Sequence, residues 1–165
     1  MQKMLRTSAL SLAAVVMMAG GASSSLAATF VQVSLWDKGS DMTMPMGFSY
    51  ATPGLDATKA TMGMKASPAT VKAGEVTFKV KNSSKDTVHE MIVMYLAAPG
   101  KPLPYIGNEN RVDEDKAGDK GEVSELDPGK SGALTVTLVP GKYLLICNVP
   151  GHFDAGMWTE FTVTP

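Results

Sequence analysis

Cys147, His152 and Met157 share one segment, Cys147-Asn148-Val149-Pro150-Gly151-His152-Phe153-Asp154-Ala155-Gly156-Met157, with four residues between each pair. A strand ending at Cys147, a turn at Pro150-Gly151 and a strand beginning near Met157 let one loop aim a thiolate, an imidazole and a thioether at a common point. The chain has one Cys and two His. The second imidazole is therefore His89, in Thr87-Val88-His89-Glu90-Met91 at the head of an apolar run. Thiolate and thioether hold Cu(I), imidazole accepts either oxidation state, and a trigonal His2Cys plane with a weak thioether suits one-electron copper chemistry. Singly, each residue has a plainer explanation: a buried thiol, a gap-filling methionine, a satisfied histidine. Their conjunction at strand ends predicts one copper per chain.

The elements that must position these side chains read as strands. Phe30 to Leu35 alternates with period two, and Val76, Phe78 and Val80 share one face of Glu75 to Lys81. Met91 to Leu96 is a continuous apolar run of strand length. Gly132 to Val139, Lys142 to Cys147 and Trp158 to Val163 follow between Pro-Gly turns. Short strands punctuated by Gly and Pro, with no apolar stripe of helical period, predict an all-β fold. It should be a β-sandwich of about seven or eight strands in two sheets. Two stretches are less strand-like. Residues 37–60, rich in Met, Gly, Thr and Ser, read as a loop. Residues 97–127 carry three prolines and eight acids and read as a long insertion with at most one helical turn.

The 165 residues and a near-balanced 15 Lys+Arg against 16 Asp+Glu suggest one domain and no nucleic-acid partner. One cysteine excludes a disulfide framework, a Cys-rich zinc site and a two-thiolate dinuclear centre. Residues 1–27 have a basic start (Lys3, Arg6), an apolar run from Leu10 to Met18 and small residues at Ser25-Leu26-Ala27-Ala28. That pattern reads as a signal peptide cleaved after Ala27 or Ala28, its core being too short to cross about 30 Å of hydrocarbon. The remaining domain, 28–165, is expected in a periplasm without a membrane span. A lone thiol there is exposed to oxidation unless it is buried or bound.

On the Cys147-x-x-Pro150-Gly151-His152 motif and the Pro-Gly-His-Phe-x-Ala-Gly-Met stretch, the sequence resembles the cupredoxins, or type 1 blue copper proteins. Among these it is most similar to small periplasmic azurin- and rusticyanin-like members of bacteria. The resemblance spans roughly residues 66–165. It implies a Greek-key sandwich with His89, Cys147 and His152 as equatorial ligands and Met157 as axial ligand. One position departs from the pattern: Glu90 follows the first histidine where azurin and plastocyanin have an Asn that fixes the ligand loop.

Four protein donors leave no open position for substrate, so a non-enzymatic one-electron carrier is the expected function. By resemblance, a redox partner such as a cytochrome or oxidoreductase docks near His152, over Val149, Pro150, Phe153 and Ala155, unless these merely pack the loop. The rival reading is copper binding or buffering in copper tolerance. It draws on Met42-x-Met44-x-Met46 and Met62-x-Met64 as a second Cu(I) site, since thioethers two apart in extended chain share a side. The same methionines could simply fill gaps beneath a loop. A metal-free sandwich binding protein is the third possibility, and it makes the Cys/His/Met pattern accidental.

Overall fold

The computed structural model describes residues 29–39 and 41–165. The expected signal peptide, residues 1–27, lies outside the described residues. Among the described residues there are eleven strands: β1 Thr29–Asp37, β2 Met62–Ser67, β3 Thr70–Lys72, β4 Gly74–Asn82, β5 His89–Tyr95, β6 Tyr105–Ile106, β7 Arg111–Val112, β8 Asp119–Leu126, β9 Ser131–Leu138, β10 Gly141–Ile146 and β11 Trp158–Thr164. One short helix, α1, spans Glu114–Ala117, and a 3-10 turn spans Ala57–Lys59. Nine strands form two sheets, ordered β2-β1-β4-β9 and β3-β11-β10-β5-β8, while β6 and β7 pair separately. The sandwich is as expected, but with more strands than seven or eight.

The sheets meet across a core to which β1 gives Val31, Val33 and Leu35, β4 gives Val76, Phe78 and Val80, and the second sheet gives Met91, Val93, Tyr143, Leu145, Phe161 and Val163. Period-two alternation in β1 and β4 follows, because their other face meets water. In β5 and β10 the alternate residues are buried too. Ile92, Met94, Leu144 and Ile146 form a second cluster with Tyr50, Leu96, Val112, Ala117 and Phe153. The 97–117 segment thus covers the outer face of the second sheet, which is why β5 and β10 read as continuous apolar runs.

The acidic insertion is therefore not one loop. It contains the β6–β7 hairpin, the single helical turn α1, and β8, which pairs antiparallel with β5. The sequence concealed β8 because it is an edge strand: of Asp119–Leu126 only Val123 is buried, so its charges face solvent. Of the 37–60 stretch, Asp37 ends β1 and Ala57–Lys59 form the 3-10 turn, and the other described residues have no strand.

Candidate metal centre

His89 is placed by β5, whose first residue it is, and Cys147 by β10, which it directly follows. These strands are neighbours, with Ile146 opposite Ile92, so both side chains arrive at the same end of one sheet. The Pro150-Gly151 turn returns the chain, Gly151 taking a φ of 84° that favours a residue without a Cβ. The loop closes on itself: Cys147 N–H donates to Met157 O at 3.0 Å, and Met157 N–H donates to His152 O at 3.0 Å.

Three donor atoms converge. His89 Nδ1 lies 3.2 Å from His152 Nδ1, and Cys147 Sγ lies 3.4 Å from His152 Nδ1. The ligand atoms of all three residues lie within 4.8 Å of one another, and all three residues are buried. Metal–nitrogen and metal–sulfur bonds of about 2.0–2.3 Å in a triangular arrangement separate donors by roughly 3.3–4 Å, so the cluster fits one ion. Met157 is fully buried, and its backbone bonds to both Cys147 and His152 keep it beside them. Thiolate, two imidazoles and a thioether are the soft and intermediate donors that suit copper.

Electrostatics keep the donors neutral until a cation arrives. Burial pushes the Cys147 thiol up to about 12. Burial and the facing His89 push His152 down to about 4. His89 is also lowered by burial, which outweighs the opposing pull of Asp37. A buried thiol with two neutral imidazoles must give up a proton to bind a metal, so metal affinity will rise with pH.

Glu90, the departure from the cupredoxin pattern, does fix the ligand loop. Its Oε1 accepts the Asn148 N–H at 2.9 Å, while its own N–H points to Cys147 Sγ at 3.4 Å. Burial, with the Glu122, Glu114 and Glu125 charges adding to it, raises the Glu90 carboxyl to about 7 against the Asn148 bond. Asn148 in turn accepts from Val112 N–H at 2.6 Å and donates to Val112 O at 3.0 Å and Glu114 Oε1 at 2.6 Å. Gly151 N–H donates to Asn110 O at 2.7 Å, so the acidic insertion braces this side of the ligand loop. The 38–56 loop braces the other: Phe48 N–H donates to Asp154 O at 2.8 Å and Ser49 Oγ to Asp154 Oδ1 at 2.6 Å. Sequence reasoning missed these braces. Their polar residues resemble any solvated loop until the fold brings them to the site.

The five loop and β2 methionines do not gather as one cluster. Met42, Met44 and Met62 line a cavity of about 370 Å³ together with His152, Thr87 and Val88. Met44 also lies close over the turn, its Cε 3.5 Å from where a Cβ on Gly151 would stand. Met46 is 58% exposed and lines none of this cavity, and Met64 lines a different one beside Trp36 and Trp158. The apolar patch expected around His152 is also smaller than its sequence suggested. Phe153 and Ala155 are buried, because Phe153 packs in the second cluster and Ala155 in the core. Pro150 is exposed and Val149 half-buried.

A two-sheet sandwich in which a strand-borne histidine meets the cysteine and histidine of a ligand loop has the architecture of a cupredoxin. The sulfocyanin (SoxE) domain matches residues 75–165, just over half of the sequence, and the chain belongs to that family of blue copper cupredoxins. Auracyanin-B of Chloroflexus aurantiacus is 54% identical over 41 residues, 24% of this chain and 17% of that protein. The copper-resistant cuproprotein CopI of Pseudomonas aeruginosa is 46% identical over 41 residues, 24% of this chain and 23% of its own length. The matches thus span about a fifth of these curated relatives. Rusticyanin from Thiobacillus ferrooxidans superposes with a TM-score of 0.52 at 17% identity, covering 83% of this chain and 77% of that one, and shares the fold.

Proposed function

We propose that the chain is a periplasmic one-electron carrier in which His89, Cys147 and His152, with Met157 as a fourth donor, would hold one copper. The single observation that carries this is the convergence of the three donor atoms at 3.2 and 3.4 Å. Copper, when bound, supplies reversible one-electron chemistry between Cu(I) and Cu(II). The chain supplies rigidity: three buried donors are held by neighbouring strands and a doubly braced loop, which supports a site that would pass an electron with little rearrangement. With four protein donors, no position is left for a substrate, which supports a carrier rather than an enzyme. Export rests on the N-terminal sequence of residues 1–27. No helix among the described residues is long and apolar enough to cross a membrane.

His152 is the electron's exit in this reading. It is 5% exposed and lines a cavity with exposed Met44, two residues after exposed Pro150. A redox protein partner docks over Met44 and Pro150, with the imidazole edge just below. Copper titration of the chain from Thr29 onward tests the site. One equivalent of Cu(II) should give an intense visible sulfur-to-copper band that Cys147→Ala abolishes. A colourless wild-type complex defeats the proposal.

A second reading, copper buffering, is favoured by the thioether cavity of Met42, Met44 and Met62 beside His152. Cu(I) stoichiometry separates the two readings. A second equivalent lost in a Met42→Leu/Met44→Leu chain supports buffering, whereas one equivalent in both chains supports the carrier alone.

A further inference from the structure

The carboxylate of Asp37 is the last side chain of β1, in the sheet opposite His89, and it lies outside the residues matched by the family domain. Its Oδ2 lies 2.6 Å from His89 Nε2, and the two side chains are 1% and 0% exposed. Its Oδ1 accepts the Gly39 N–H at 2.7 Å. The Ser84 hydroxyl also bonds to it, while Ser84 Oγ accepts the N–H groups of Asp86 and Thr87 at 3.2 and 2.9 Å. Ser83 N–H donates to Leu35 O at 2.9 Å, tying this turn back to β1. The carboxylate is thus fixed from β1, from the following turn and from the segment leading into β5.

A buried carboxylate accepting from one ring nitrogen does two things to an imidazole. It selects the tautomer with the proton on Nε2, leaving the Nδ1 lone pair toward the site, and it makes that nitrogen a stronger donor. It also adds a negative charge in a region of low dielectric, where a higher charge on a neighbouring cation is favoured over a lower one. An uncharged acceptor in the same place would satisfy the same hydrogen bonds without favouring either oxidation state.

We infer that Asp37 is a positioning residue for His89, holding the imidazole as the Nε2–H tautomer and biasing a bound copper toward Cu(II), which keeps the reduction potential of the site low. The inference rests on the copper-site reading above. Its sequence signal was the acid at the end of the first strand, which has no visible link to a histidine 52 positions later.

Asp37→Asn preserves size and can still accept the Nε2–H, but removes the charge. The expected result is a variant with an unchanged sulfur-to-copper band whose ratio of Cu(II) to Cu(I) affinity falls at least about tenfold. That equals a rise in potential of about 59 mV for one electron. A variant within about threefold of wild type overturns the charge role. Nitrogen NMR of the metal-free wild-type chain tests the tautomer without any variant: a proton on His89 Nε2 supports the inference, and a proton on Nδ1 overturns it. If the wild-type chain shows no sulfur-to-copper band, the copper reading falls and this inference with it. A normal band with an unmoved potential removes only the role of Asp37.

Discussion

The two histidines of the centre are held in opposite ways. His89 begins a strand in the middle of a sheet, and its far nitrogen is engaged by a buried carboxylate from the other sheet. His152 sits on a loop, held by hydrogen bonds from flanking segments, and opens onto a cavity lined by thioethers. One half of the site is therefore anchored in the core and the other is braced at the rim. The difference teaches how a fold can keep donor geometry rigid yet leave one ligand facing a cavity at the edge of the core. Rigidity comes from strand pairing and a fixed charge on one side, and on the other from a loop braced by its neighbours beside a cavity.

The largest test of this asymmetry is to delete each ring in the metal-free chain. His89→Ala leaves the Asp37 carboxylate buried without its main partner and should destabilise the fold by about 3 kcal/mol. His152→Ala opens a rim cavity and should lose no more than about half of that. Urea unfolding of both variants gives the comparison, and equal losses would break it.

Almost as large is the pH dependence of the metal-free chain. The native chain keeps the Glu90 proton up to about pH 7, whereas the unfolded chain loses it near 4.5, so stability falls with rising pH across that window. His152 works the other way. The unfolded chain holds its proton up to about 6.5 and the native chain only to about 4, so stability rises from pH 4 to 6.5. Each effect is worth about 3 kcal/mol at most, and between pH 4.5 and 6.5 they oppose. Glu90→Gln should unmask the histidine slope as a steady rise in unfolding free energy from pH 4 to 6.5. A flat profile in that variant would remove the burial of His152 as its cause.

The bracing of the rim is a smaller matter. Asn148→Ala removes one bond from Val112 N–H and two bonds to Val112 O and Glu114, and should destabilise the chain by about 2 kcal/mol, read by thermal unfolding. At the bottom of the scale, Met46→Leu touches neither the core nor the thioether cavity. It should change stability by less than about 0.5 kcal/mol and leave Cu(I) stoichiometry unaltered.

Much of the site was legible because its donors are rare residue types at strand ends: a sole cysteine and two histidines need only a plausible strand order to be brought together. The Met42-to-Met64 reading separated into parts because period-two spacing places thioethers on one side of a strand but cannot say which cavity that side faces. Met62 lines both the His152 cavity and the one beside Trp36, whereas Met64 lines only the latter. The apolar patch expected around His152 shrank for a related reason: apolar Phe153 could be surface or core, and the 97–117 cover made it core. Strand β8 was hidden because its charges face solvent from the edge of a sheet.

Composition and local spacing by themselves determined an all-β chain with a thiolate, two imidazoles and a thioether at strand ends, since these follow from residue type and a period of two. Only the tertiary structure decided which neighbours those donors acquire: Asp37 against His89, Glu90 on the Asn148 amide, the thioether cavity at His152. The physical reason is that such contacts join residues tens of positions apart, and only the closing of two sheets brings them within hydrogen-bonding distance.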